Sequence, residues 1–181
     1  MNKLNRHSIR LKEFDYSQPS WYYITICTYQ MIPRFGEIRN EKMLLNDVGI
    51  IIDDEWNKTK LIRSNIDLDF YVIMPNHLHG IIIINESGRG VSQYAPTTDD
   101  MFHSPSHTLG AIIRGFKSSS TKRINIKLCT PNKPLWQRNY YERIIRNEKE
   151  LYHIRNYIQQ NILKWDMGKN IPANMDINLF S

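Results

Sequence analysis

The spacing of apolar residues along the chain predicts a mixture of strands and helices in its first half. Residues 21–29 are aromatic and β-branched, which favours a strand. Apolar residues recur at helical spacing over residues 41–61 and predict a helix there. Residues 68–74 and 78–84 predict two further strands. The turn-forming pair Pro75-Asn76 between them indicates a hairpin.

The second half continues the alternation after a polar interruption. Residues 85–106 are rich in Gly, Ser, Thr and Pro and predict a loop. A second helix is predicted over residues 108–124, with Ser106 as a candidate cap. Residues 135–139 suggest a short strand, and residues 148–165 predict a third helix.

The order of these elements predicts an α+β fold. Strand, helix, hairpin, helix, short strand and helix resemble a ferredoxin-like (RRM-like) sandwich, in which helices pack on one side of an antiparallel sheet. A chain of 181 residues is long enough for one core and short for two. We therefore expect a single domain over residues 1–166, followed by a C-terminal tail of residues 167–181.

Composition excludes several classes of protein. The hydrophobic content of 41% is ordinary for a globular domain. No apolar run approaches the roughly 18 residues of a membrane span, and the N-terminus lacks a signal-peptide pattern. Cys27 and Cys129 form no CxxC motif, which suits a reducing cytosol. We expect a cytoplasmic, nucleoid-associated protein.

The charge is concentrated in one segment. The net charge is +6, and residues 114–146 hold nine basic side chains against Glu142 alone, whereas residues 41–69 lean acidic. Trp136, Tyr140 and Tyr141 are interleaved with the basic run, as stacking on unpaired bases requires. A solvated basic face is the alternative. The predicted DNA contacts are Arg114, Lys117, Lys122, Arg123, Trp136, Arg138, Tyr140 and Arg143.

Two histidines in one predicted strand are the first candidate for chemistry. His77 and His79 are separated by Leu78, so both side chains lie on the same face of the strand and can converge on one ion. The isoleucines at positions 81–84 favour a buried, rigid strand. Most His-x-His pairs are accidental, so the assignment depends on further partners.

The last predicted helix supplies such partners. On a helical wheel Leu151, Ile154, Ile158, Ile162 and Trp165 form one apolar stripe that we expect to pack on the sheet.

Tyr157 and Asn161 are four residues apart and lie on the flank of this stripe, between core and solvent. Tyr152 and Asn156 have the same spacing but lie on the opposite face, where we expect them to point into water. A helical Tyr beside an apolar stripe is commonly just a core-edge residue, so only the combination with the histidine pair is informative.

These motifs resemble those of a known superfamily. His77-Leu78-His79 is similar to the His-hydrophobe-His motif of the single-tyrosine HUH endonucleases, and residues 157–161 are similar to their Tyr-x-x-x-Asn/Gln helix. Residues 74–79, 136–141 and 145–148, with 8–11 and 15–17, resemble the REP-associated tyrosine transposases. The resemblance covers about residues 6–166. One departure is Ile162, where we expect Pro, and this residue lets the helix run on.

The resemblance implies an activity and a set of roles. It implies cleavage and rejoining of single-stranded DNA, with hairpin-forming repeat DNA as the substrate, through a covalent 5′-phosphotyrosine on Tyr157. It also implies a divalent metal, Mg²⁺ or Mn²⁺, held by His77, His79 and Asn161, and a monomer or homodimer. The alternatives are a non-catalytic single-stranded DNA- or RNA-binding module and a zinc-dependent hydrolase.

Overall fold

The computed structural model describes residues 18–85 and 108–166. Its main sheet has four strands, and each strand is antiparallel to its neighbours in the order β4-β5-β1-β6. A separate hairpin forms from β2 and β3. The strands are β1 (Ser20–Cys27), β2 (Gly36–Arg39), β3 (Lys42–Leu45), β4 (Ile66–Met74), β5 (His77–Ile84) and β6 (Tyr141–Ile145). The helices are α1 (Asp47–Ile62), α2 (Leu109–Lys127) and α3 (Glu148–Asp166).

The connectivity is that of a split βαβ arrangement. Apart from the β2–β3 hairpin and α3, the elements run strand, helix, strand, strand, helix, strand. The predicted α+β class with an antiparallel sheet is therefore confirmed. Within the described residues, no helix is long and apolar enough to cross a membrane.

The two faces of the sheet cover different cores. Side chains alternate along β1, so Tyr22, Ile24 and Ile26 join the larger core under α1 and α2. Tyr23 lies on the opposite face, in a second core with the apolar stripe of α3. The helices that pack on one side of the sheet, as predicted, are therefore α1 and α2. The third helix, α3, differs because Leu151, Ile154 and Ile158 of its stripe are buried against the other face, whereas Ile162 and Trp165 are half-buried.

Gly80 explains how closely α1 approaches the sheet. A Cβ atom at this position would lie 2.7 Å from the indole of Trp56. Only glycine lets that buried ring rest directly on β5. The strand that carries both histidines is therefore in close packing contact with α1.

Three of the predicted elements differ from those in the structure. The helix predicted over 41–61 begins only at Asp47, since residues 42–45 form β3 and the Asn46 Oδ1 caps the helix by accepting from the backbone N of Val48 and Gly49. Residues 135–139 form no strand, and Trp136 makes only an isolated bridge to Thr28. The strand in this part of the chain is β6, which begins at Tyr141. The second helix is capped by Thr108, not by the candidate Ser106, and it runs to Lys127, beyond the predicted end at 124.

Several predictions fall on residues outside the described part. These are residues 86–106 of the predicted loop, the 167–181 tail, and the motifs at 8–11 and 15–17.

Candidate active site

The two histidines of β5 lie together on the face of the sheet that α3 covers. His77 and His79 are 0% and 1% exposed, and their ring centroids are 4.5 Å apart. They reach this position because they are two residues apart in a regular strand. The expected common orientation of the pair is therefore present.

The hydrogen bonds of His77 leave one nitrogen without a partner. Its Nδ1 lies 2.7 Å from the Oδ1 of Asn76, and the Asn76 Nδ2 donates to the Met31 carbonyl. Since Oδ1 can only accept, Nδ1 of His77 carries the proton and Nε2 keeps its lone pair. That Nε2 is buried and has no hydrogen-bond partner among the described residues.

His79 is held from the neighbouring strand. Its Nδ1 lies 2.8 Å from the Tyr23 hydroxyl and 2.7 Å from the Thr25 hydroxyl. Thr25 is the antiparallel partner of His79 in the β1–β5 ladder. Both hydroxyls are buried with the imidazole.

The helix α3 brings Tyr157 and Asn161 to the same place. Leu151, Ile154 and Ile158 are buried against the sheet, which turns the flank of the helix toward the histidines. The Tyr157 ring centroid lies 5.5 Å from that of His79.

Asn161 connects the helix to the histidine pair. It is fully buried, its Nδ2 donates to the Tyr157 carbonyl, and its side chain is hydrogen-bonded to His79 and to Tyr157. Tyr152, which has the same spacing on the opposite face of the helix, is 64% exposed, as the helical wheel predicts.

The end of α3 closes over the cluster. The helix continues past Ile162 to Asp166, as the absence of Pro predicts. The Trp165 ring lies 5.9 Å from that of His77, and the Lys164 Nζ lies 4.9 Å from the centroid of Tyr157.

Burial sets the protonation of the cluster. Desolvation lowers the pKa of His77 to about 3 and lowers the pKa of His79 well below its usual value. Both imidazoles are therefore neutral near pH 7, the form that binds metals. Burial raises the pKa of the Tyr157 phenol, and hydrogen bonds from Asn161 and Tyr23 act in the opposite direction.

The side chains present fit a divalent ion. In the described ranges, no three His, Cys, Asp or Glu side chains meet in a group that could hold a metal. The cluster instead combines two neutral imidazoles with one amide. The Nε2 of His77 has no hydrogen-bond partner among the described residues, and its lone pair could bind a cation. Sequence reasoning missed Tyr23, Thr25 and Asn76. Only Asn76 had a sequence signal, its position beside His77.

Six of the eight predicted DNA contacts line one groove of about 1080 Å³ between α2 and residues 129–140. Arg114, Lys122 and Arg138 are exposed there. Lys117 instead donates to the carbonyls of Gln137 and Arg138, and so holds the wall of the groove. The six lining residues are Arg114, Lys117, Lys122, Trp136, Arg138 and Tyr140.

Trp136 is a core residue as well as a lining residue. It is 6% exposed, its Nε1 donates to the Ser120 hydroxyl at 2.9 Å, and its ring packs on Phe35 and Phe116. Its ring therefore stacks on neighbouring protein rings.

Arg123 and Arg143 are engaged elsewhere. Arg123 of α2 forms ion pairs with Asp54 and Glu55 of α1. Arg143 of β6 pairs with Glu150 at 2.6 Å. Neither lines the groove, so we leave both out of the DNA path proposed below.

Comparison with known proteins gives a relative and a fold. No protein-family model matches the chain. An uncharacterized protein of Haemophilus influenzae is 40% identical over 170 residues, which span 91% of this chain and 92% of that protein. The solved structure of a REP-associated tyrosine transposase bound to a REP hairpin aligns with a TM-score of 0.55 at 18% identity, over 90% of this chain and 76% of that one.

A candidate transposase from Deinococcus radiodurans R1 aligns with a TM-score of 0.47 at 14% identity, over 83% of this chain and 95% of that one. At such low sequence identity the comparison bears on the fold alone. For the fold, the expected resemblance to REP-associated tyrosine transposases is confirmed. The chain has that fold, and it belongs to the same family as the Haemophilus influenzae protein.

Proposed function

We propose that this protein is a metal-dependent endonuclease and strand transferase for single-stranded DNA, acting through a covalent 5′-phosphotyrosine on Tyr157. One observation carries the proposal. A tyrosine from α3 meets two neutral, buried histidines and an amide on one face of the sheet. The transposase fold of the chain supports a role in DNA processing.

The proposed reaction exchanges one phosphoester bond for another. The Tyr157 oxygen attacks the scissile phosphorus after its phenol proton is lost to solvent. The bond from phosphorus to the 3′ oxygen breaks, and that oxygen takes up a proton to become a free 3′-OH. Because the phosphotyrosine conserves the ester, attack by another 3′-OH rejoins a strand without ATP.

The remaining residues of the cluster have distinct roles. His77, His79 and Asn161 would hold a divalent ion, Mg²⁺ or Mn²⁺. When bound, such an ion supplies positive charge beside the scissile phosphate. The hydrogen bonds that Asn161 and Tyr23 make to Tyr157 favour its ionised form against the cost of burial.

The proposed substrate is single-stranded or hairpin-forming repeat DNA. The solved neighbour with this fold is bound to a REP hairpin. In this chain Arg114, Lys122 and Arg138 line the groove beside α2, where guanidinium and ammonium groups suit backbone phosphates.

The covalent adduct is the test. Tyr157→Phe removes only the attacking oxygen, so we expect no protein–DNA adduct on a denaturing gel and nearly unchanged affinity for a labelled hairpin oligonucleotide. Tyr152→Phe, on the exposed face of the same helix, is the matched control and retains the adduct. An adduct of normal yield from Tyr157→Phe would remove Tyr157 from the mechanism.

A second candidate is a nucleic-acid-binding module without catalysis. The basic groove supports it, because the groove involves none of the histidine cluster. Tight binding of the hairpin by the wild-type protein, with no adduct in Mg²⁺ or Mn²⁺, would favour this candidate over the endonuclease.

A further inference from the structure

Two hydroxyl groups of β1 connect the histidine pair to the tyrosine of α3. Thr25 and Tyr23 both lie within hydrogen-bond distance of the Nδ1 of His79, at 2.7 and 2.8 Å. Both side chains are 1% exposed. Neither belongs to the motifs on which the proposed activity rests.

The hydrogen bonds can run in one direction. The Thr25 hydroxyl donates to the Tyr23 oxygen at 3.2 Å, so Thr25 can accept from a proton on the Nδ1 of His79. Tyr23 is hydrogen-bonded to Tyr157 in a way that lowers the pKa of Tyr157, as donation from the Tyr23 hydroxyl would do.

A comparison within the same strand separates this arrangement from ordinary packing. Tyr22 is also fully buried, but it faces the α1 and α2 core, and its hydroxyl reaches the Gln18 carbonyl at 3.4 Å. A phenylalanine would fill the hydrophobic place of either ring. The Tyr23 hydroxyl, in contrast, is hydrogen-bonded to His79 and Tyr157 of the proposed site and to Thr25, which itself contacts His79.

We infer that Thr25 and Tyr23 are positioning residues of this site: their hydroxyls hold the Nδ1 of His79 and so fix the imidazole in one orientation and one tautomer, and Tyr23 at the same time orients the Tyr157 phenol. The inference rests on the proposed function for its catalytic half. Because these hydroxyls occupy Nδ1, the Nε2 of His79 is the nitrogen left for a metal ion, as Nε2 is in His77.

The tautomer can be measured without metal or DNA. In the full-length protein treated with EDTA, imidazole ¹⁵N spectra at pH 7 should show His79 as a single neutral tautomer. Thr25→Val and Tyr23→Phe together should shift His79 toward a mixture of tautomers, whereas Tyr22→Phe should leave the spectrum unchanged. A His79 resonance unaltered by the double substitution would overturn the inference.

Metal binding and kinetics give the second readout. We expect each of Thr25→Val and Tyr23→Phe to weaken Mn²⁺ binding in calorimetry about tenfold, the usual lower range for partners of metal ligands. Cleavage should lose kcat with little change in KM, and Thr25→Ser should restore both. Wild-type Mn²⁺ affinity and kcat in both variants would overturn the inference, even if Tyr157→Phe abolishes the adduct.

The two proposals fail separately. If the wild-type protein forms no adduct but Thr25→Val and Tyr23→Phe still change the His79 tautomer and weaken Mn²⁺ binding, the endonuclease assignment falls and the positioning of His79 stands.

Discussion

At the scale of single residues, His77 is a buried side chain whose Nε2 has no hydrogen-bond partner among the described residues. An imidazole nitrogen that is buried without a partner forfeits its hydrogen bonds to water, at a cost of about 1–3 kcal/mol. An apolar residue on β5 would avoid that cost. A cation on this nitrogen would offset it, which makes metal binding a direct test of why the histidine is there.

Substitution of the histidines should therefore abolish metal binding. We expect His77→Ala and His79→Ala each to lose Mn²⁺ binding in calorimetry, together with metal-dependent cleavage. Asn161→Ala should weaken binding less, because a neutral amide oxygen is a poorer ligand than an imidazole. His153→Ala and Asn156→Ala, on the same helix as Asn161, serve as controls. Normal Mn²⁺ affinity in the double histidine variant would refute a shared site.

At the scale of elements, periodicity located the parts of the site that lie within one element. A two-residue repeat placed His77 and His79 on one face of β5, and the helical wheel separated Tyr157 from Tyr152 on α3. Both patterns are local, and a single sequence displays them completely.

The pairings between elements were not predictable in the same way. Thr25 faces His79 because β1 pairs with β5 in a particular register, and no local pattern encodes that register. The segment at 135–137 resembles a strand because its backbone bonds to the end of β1, through Tyr29 N to the Leu135 carbonyl and Gln137 N to the Cys27 carbonyl. That contact is tertiary and too short to continue as a ladder.

The groove beside α2 allows a prediction about DNA binding. Replacing Arg114, Lys122 and Arg138 with Gln should weaken binding to all single-stranded sequences. The slope of log affinity against log salt should become shallower by about 0.7 for each lost phosphate contact.

The control for the groove uses the same change in charge elsewhere. Arg39→Gln, Lys42→Gln and Lys60→Gln remove three positive charges from residues that do not line the groove. Binding isotherms at several salt concentrations measure both slopes. Equal slopes for the two triple variants would show that the DNA follows another path.

At the scale of the whole molecule, the basic run and the acidic segment partly neutralise each other. Arg123 of α2 and Lys58 of α1 meet the carboxylates Asp54 and Glu55 between the two helices. This part of the positive charge holds α1 against α2. The exposed basic residues of the groove take no part in these ion pairs between α1 and α2, so only part of the basic run enters the proposed DNA path.

The buried histidines also make the stability of the metal-free protein depend on pH. The pKa of His77 is about 3 in the folded protein, against 6.5 in the unfolded chain, and the pKa of His79 is lowered in the same direction. Between these values the unfolded chain binds protons that the folded protein does not. The free energy of unfolding is therefore highest above pH 6.5 and falls as the pH drops, by up to about 1.4 kcal/mol per pH unit for each histidine.

Urea unfolding in EDTA at pH 7, 6 and 5 measures this dependence above the range where most carboxylates titrate. His77→Gln and His79→Gln should each flatten it, because one buried group no longer takes up a proton on unfolding. His153→Gln should leave it unchanged, since His153 is exposed and its substitution removes no buried imidazole. If His77→Gln keeps the wild-type slope, the folded protein already admits a proton at His77, and the neutral imidazole required for metal binding is not maintained by burial.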